Sequence, residues 1–247
     1  MKIRALLALA AGGSLLAGCA ASGAEPSSAN ATPPQSSARG GPAFPSTYRA
    51  YPSAPTAITG VTIFDGEGGR IDNGTVFMVD GKISSVGGPD TAIPGDATVV
   101  DGSGKYVTPG IIDVHSHLGD YPTPSVDAHS DGNEATSPVT PEVWAEHSVW
   151  PQDPGFSRAM ANGGITALQI LPGSANLFGG RSVVLKNVPA RTVQAMKFPG
   201  APYGMKMACG ENPKRVYGSR NRAPSTRMGS LAVERQTWID AQEYGSK

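Results

Sequence analysis

Residues 108–117 read TPGIIDVHSH, and no other stretch of this chain narrows the fold as much. A strand repeats its side-chain directions every two residues, so Asp113, His115 and His117 share one face while Ile112, Val114 and Ser116 take the other. The run is short, mostly apolar and starts at a Pro109-Gly110 corner, which fits a strand emerging from a turn. Two imidazoles at i and i+2 on a rigid strand are usable metal ligands, because neutral imidazole binds zinc through a ring nitrogen. Asp113, two residues back on the same face, can orient an imidazole from behind or ligate more distantly. An isolated pair of this kind fits equally well one histidine packed in a core and one facing solvent. Its surroundings have to decide.

Before the corner the pattern is that of short strands. AITGVTIFDGEGG reads as a strand closed by glycine, NGTVFMVDGKISSVGG as two strands across an Asp80-Gly81 turn, and DATVVDGSGKYVTPG as two more around Gly102 to Gly104. Residues 57–107 therefore form a small antiparallel β module. After the corner, strands and helices alternate. Residues 120–151 are a long Pro-rich stretch, and runs of that length are usually functional or disordered. DPGFSRAMANGG reads as a helix with Asp153 as N-cap, Pro154 at the first helical position and Gly163-Gly164 as its stop. ITALQIL and RSVVLKN read as strands, TVQAMKF as a short helix, APYGMKMACG as a strand and MGSLAVERQTWIDAQEY as an amphipathic helix. Alternation of this kind argues for a parallel sheet or barrel over 108–247. The Gly pairs at 163–164 and 179–180 read as turns, and neither stands in a nucleotide-binding context.

The N-terminus has a different character. Lys2 and Arg4 precede an apolar run from Ile3 to Leu16, the form of a secretory signal over residues 1–18. Leu16-Ala17-Gly18-Cys19 resembles the lipobox of bacterial lipoproteins. That resemblance implies a lipid on Cys19 as the new N-terminus, with Ala20 favouring the outer membrane, facing the periplasm. Residues 19–56, rich in Ser, Ala, Pro and Gly, cannot bury enough apolar surface to offset ordering and are expected to be a disordered tether. With Cys19 lipidated, Cys209 has no disulfide partner and is expected to be a small buried packing residue. The chain carries 20 basic and 20 acidic residues. No basic patch is dense enough for nucleic acid. Lys214, Arg215, Arg220, Arg222 and Arg227 read as a solvated loop, with contact to an anionic substrate as the sharper option.

Taken together, the β module and Pro109-Gly110-Ile111-Ile112-Asp113-Val114-His115-Ser116-His117 resemble the amidohydrolase superfamily. GGITALQILPGSANLFGG and GMKMACGENPKRVYG resemble segments of its imidazolonepropionase-like and prolidase-like branch. The resemblance implies an α/β fold: the N-terminal part of a (β/α)8 metal-dependent hydrolase barrel preceded by a small β-sandwich. It implies one or two divalent metals, expected to be Zn, at the mouth of the barrel, where barrel active sites lie. The metal activates water to attack a C–N bond of a small-molecule or dipeptide-like amide. His115 and His117 carry over as ligands, and Asp113 supports them from the second shell. The next ligand is Glu211 or, once carbamylated, Lys206, with Glu211 slightly favoured for its place toward the mouth. His129 and His147 match no family ligand position and read as surface or substrate-loop residues.

The chain departs from this pattern after His147, which is its last histidine. The family brings two more histidines and an Asp general base from later strands, expected here beyond residue 247. A barrel takes about 250 residues, so roughly half of one is expected over 108–247. The readings that follow are a truncated lipid-anchored hydrolase, a non-catalytic degenerate lipoprotein, or one half of a split enzyme completed by a second polypeptide; the partner expected is a missing C-terminal half or a second copy in a homo-oligomer.

Overall fold

In the computed structural model, which describes residues 44–247, β1 (Thr56–Phe64) is the shared partner of the first sheet. β2 (Arg70–Val79) lies antiparallel on one side of it, with β3 (Lys82–Gly87) outside β2. Asp80 and Gly81 turn the hairpin with φ of 53° and 70°, the left-handed pair that a two-residue type I′ turn requires. β4 (Thr98–Asp101) and β5 (Tyr106–Val107) both run along the other side of β1 and are parallel to it. The module is thus mixed, not antiparallel as expected. The connection from Gly87 to Thr98 carries the chain back across the sheet, so β4 starts at the same end as β1. Side-chain alternation is the same in either direction, which is why the pattern could not separate them. Val61, Ile63 and Val76 make the core of this part, with Ile58, Ile71, Met78 and Val107 packed around them.

The second sheet is built on β7 (Ile165–Ile170), where Leu168 and Ile170 are fully buried. β6 (Ile111–Ser116) pairs with it in parallel, and α1 (Pro154–Gly163) lies in the connection between the two strands. The Pro-Gly corner has a steric reason. A Cβ on Gly110 would lie 2.3 Å from the Thr166 side chain, so only glycine lets β6 start this close to β7. Asp153 caps α1 by accepting from the Gly155 amide, and Gly164 ends it at φ 61°, as its sequence predicts.

Beyond α1 the expected parallel order changes. β9 (Val183–Lys186) returns antiparallel on the far side of β7, and β8 (Phe178–Arg181) pairs antiparallel with β10 (Met205–Met207). Gly179-Gly180, read as a turn, lies inside β8. α2 (Val193–Met196) joins the main core of Ala145, Val149, Phe156, Leu168, Ile170, Val183, Leu185 and Met196. The segment read as a basic loop holds a helix, α3 (Glu211–Gly218), with Pro213 in its first turn, where proline is tolerated. Arg220 and Arg222 donate to the Ala135 and Thr136 carbonyls and so hold the 130s loop. α4 (Arg227–Gly245) is a helix but not the amphipathic one expected: its buried residue is Ser230, while Met228 and Tyr244 are about four-fifths exposed.

The tether also ends earlier than residue 56. Thr47 donates to the Gln194 carbonyl, Ser46 Oγ to the Lys197 carbonyl, and Lys186 lies over the Tyr48 ring. The buried Lys197 ammonium ties the Phe44 carbonyl to Glu146 and Tyr203. Phe44 and Tyr48 supply the apolar and aromatic contacts that the Ser/Pro-rich composition upstream lacks. Among the described residues no helix is long and apolar enough to cross a membrane. Cys19 and residues 1–18 lie outside the described residues.

Candidate active site

β6 delivers His115 on the strand and His117 just past its end. The rings meet edge to face, centroids 5.3 Å apart. His117 Nδ1 lies 2.8 Å from the Leu171 carbonyl at the end of β7. A carbonyl only accepts, so Nδ1 carries the proton and Nε2 keeps its lone pair free. Burial pushes the His117 pKa below its ordinary value, which favours this neutral form.

Lys206 comes in from β10, whose pairing sets it opposite Gly180 of β8. Its ammonium nitrogen stands 3.5 Å from His115 Nε2. Lys206 is only 7% exposed, and no carboxylate lies within ion-pair distance of it among the described residues. Burial lowers its pKa, so the neutral amine is easier to reach than in an ordinary lysine. Glu211 is elsewhere. It opens α3 with a side chain 69% exposed and is paired with Arg215 at 2.9 Å. The structure therefore brings Lys206, and not Glu211, to the histidine pair. Asp113 Oδ1 accepts from the His115 amide at 3.0 Å and braces the strand backbone instead of an imidazole. Among the described residues no group of three His, Cys, Asp or Glu is placed to hold a metal.

The turn after His117 is anchored more heavily than its sequence suggests. Asp153, 3% exposed, accepts from the amides of Gly119, Thr123 and Gly155, and so ties this turn to the start of α1. Asp120 is fully buried, with Ser148 Oγ donating to Oδ1 at 2.7 Å and Oδ2 without a partner among the described residues. Burial raises its pKa to about 7. The Tyr121 ring stands at 86° to that of His117, centroids 5.5 Å apart, and Asn133 Nδ2 donates to its phenol oxygen. Neither Asp120 nor Tyr121 was a sequence candidate. The Gly-Asp pair directly behind the HxH strand is a turn signal that could have drawn attention to them.

The other candidates sit apart. His129 packs against Trp150, and His147 against Phe44 and Trp144. Cys209 is exposed, not buried. It sits just past β10, and the Glu234 carboxylate pushes its thiol pKa up, which disfavours the thiolate.

No family model matches the chain. Over 168 residues it is 38% identical to the amidohydrolase tasK of Hapsidospora irregularis, which covers 64% of this chain and 16% of that protein. The amidohydrolase of Thermotoga maritima MSB8 superposes with a TM-score of 0.71 at 40% identity, over 77% of this chain and 48% of its own. Sequence and fold both point to the amidohydrolase superfamily. A dihydroorotase of Pelotomaculum thermopropionicum is 48% identical over 62 residues, 25% of this chain and 14% of that enzyme. The chain spans less than half the length of each of these relatives.

Proposed function

We propose that this chain contributes the first metal-binding strand of a hydrolase that cleaves C–N bonds in small-molecule or dipeptide-like amides. The carrying observation is the His115–His117 pair with a buried lysine beside it that has no counter-ion among the described residues. This donor set suits a divalent cation, with zinc the expected one. His117 offers Nε2 because Leu171 holds the proton on Nδ1, and His115 offers its ring from the same strand end. A divalent cation, when bound, supplies Lewis acidity toward water and a carbonyl oxygen. Lys206 adds either its amine or, after carbamylation, a pair of oxygens that could serve one ion or two. We assign no general base among residues 44–247.

Equilibrium dialysis of the full chain with zinc tests this reading. We expect saturable binding that is lost in His115→Ala and His117→Ala and weakened in Lys206→Met. The same affinity in the double histidine variant would end it.

A second reading, one half of an enzyme completed by another polypeptide, rests on β6. It is paired on one edge among the described residues, and Ile111, Ile112 and Val114 are 53%, 64% and 68% exposed. Extraction in mild detergent that yields this chain alone argues against it. Anchoring at the outer membrane through a lipid on Cys19 is part of the proposal. It predicts that labelled palmitate enters the wild-type chain and not Cys19→Ala.

A further inference from the structure

Tyr121 is held with more care than a half-exposed side chain needs. Its ring and oxygen occupy space that two glycines leave open. A Cβ on Gly132 would lie 2.3 Å from the phenol carbon Cζ, and one on Gly173 would lie 2.1 Å from the phenol oxygen. Gly173 donates to the Gly132 carbonyl at 2.6 Å, which fixes the two walls to each other. The ring then packs against His117 in a T-shaped contact. The side chain is nevertheless 48% exposed, so this placement buries little apolar surface.

The hydrogen bonds determine which way the phenol points its proton. Asn133 Oδ1 accepts from the Ala175 amide at 2.9 Å, and an amide N–H can only donate. The orientation of the Asn133 side chain is thereby fixed, and Nδ2 is the end that meets Tyr121. An NH2 group also only donates, so the phenol oxygen is the acceptor in that bond. Among the described residues nothing accepts the Tyr121 O–H proton.

We propose that Tyr121 is a preset hydrogen-bond donor at the mouth beside His117, one that binds an acceptor oxygen of the substrate, either its carbonyl or its carboxylate. Asn133 sets that polarity, and Gly132 and Gly173 set the position. The proposal deepens the hydrolase reading and rests on it for the location of the substrate.

The test uses Asn133→Asp beside Tyr121→Phe. An aspartate at 133 still accepts from the Ala175 amide through one oxygen, while its other oxygen now takes the Tyr121 proton. The phenol stays in place but has nothing left to donate. Binding of N-acetylglycine to the full chain is titrated by calorimetry, with and without zinc. One hydrogen bond is worth about 0.5–1.5 kcal/mol, so both variants should bind the probe roughly 2- to 13-fold more weakly than wild type. Their zinc affinity should not change. Equal probe affinity in all three proteins overturns the proposal, and so does a wild-type chain that shows no saturable binding of the probe. A loss in Tyr121→Phe with none in Asn133→Asp also overturns it, because that is the signature of lost packing. Absence of zinc binding by the wild type counts against the metal reading instead, and the probe titration without zinc keeps the two failures separate.

Discussion

The β2–β3 hairpin and the mouth around His117 are both tightly defined, but by different means. In the hairpin, Val79 faces Lys82 across two residues whose left-handed backbone sets the register. The information is local. At the mouth, His117 meets Leu171, Lys206 meets His115, and Tyr121 meets Asn133, pairs separated by 54, 91 and 12 residues. Polar atoms that reach from one connection to another hold this region together. Single substitutions should therefore cost more at the mouth than in the hairpin, and they should disturb function together with stability.

The largest effect is expected at Asp153. Replacing it with alanine leaves the amides of Gly119, Thr123 and Gly155 without an acceptor and removes the cap of α1. A cap is worth about 1 kcal/mol and each unsatisfied buried donor about 1–3 kcal/mol. We expect a loss of roughly 3–5 kcal/mol in urea unfolding, with weaker zinc binding as the His117 turn loosens. Asparagine, which keeps one acceptor oxygen, should recover part of both. A loss below about 1 kcal/mol would show that the turn is held from elsewhere.

Asp120 gives a smaller effect that depends on pH. Its folded-state pKa of about 7 stands above its ordinary value of 3.8, so between those two the folded chain keeps a proton that the unfolded chain has released. Stability should fall as pH rises through that window and level off above it. Between pH 5 and pH 8 the loss is on the order of 3 kcal/mol. Comparing urea midpoints at pH 5 and pH 8 checks the sign, and Asp120→Asn should flatten the slope. A wild-type midpoint that rises over the same interval would contradict the assignment.

This contrast also explains what could be read from the residues and what could not. Asp80-Gly81, the Asp153-Pro154 start of α1 and the His115-Ser116-His117 run were legible, because each is decided by chemistry within a few positions. β8 was not: Phe178-Gly179-Gly180-Arg181 has the composition of a turn and becomes a strand only by pairing with β10. The same pairing delivers Lys206 to within 3.5 Å of His115, a placement that no local pattern announces. α3 did carry a readable sign, Pro213 within a first turn opened by Glu211, but the neighbouring glycine and arginines masked it. Parallel β4 and β5 left no trace in a period-two pattern. The Tyr121–Asn133 pair joins two points of one irregular stretch, for which no periodicity exists.

Glycine-to-alanine exchange sharpens the comparison further, since it makes one chemical change in both regions. Gly81 sits at φ 70°, and an added Cβ would meet the Ala50 methyl at 3.1 Å, a contact that a small shift relieves. An L-residue in that left-handed conformation costs about 1–2 kcal/mol, partly offset by the lower entropy of the unfolded chain. We expect Gly81→Ala to lose about 1 kcal/mol and to leave zinc and N-acetylglycine binding as in wild type. Gly173 lacks the unusual backbone, yet its Cβ would fall 2.1 Å from the Tyr121 oxygen and 2.3 Å from Asn133 Nδ2. Gly173→Ala must push the phenol aside, so its loss of probe binding should match that of Tyr121→Phe even where its loss of stability is modest. If Gly81→Ala proved the more damaging to binding, local turn geometry would govern the mouth as well, and the distinction between the two regions would fail.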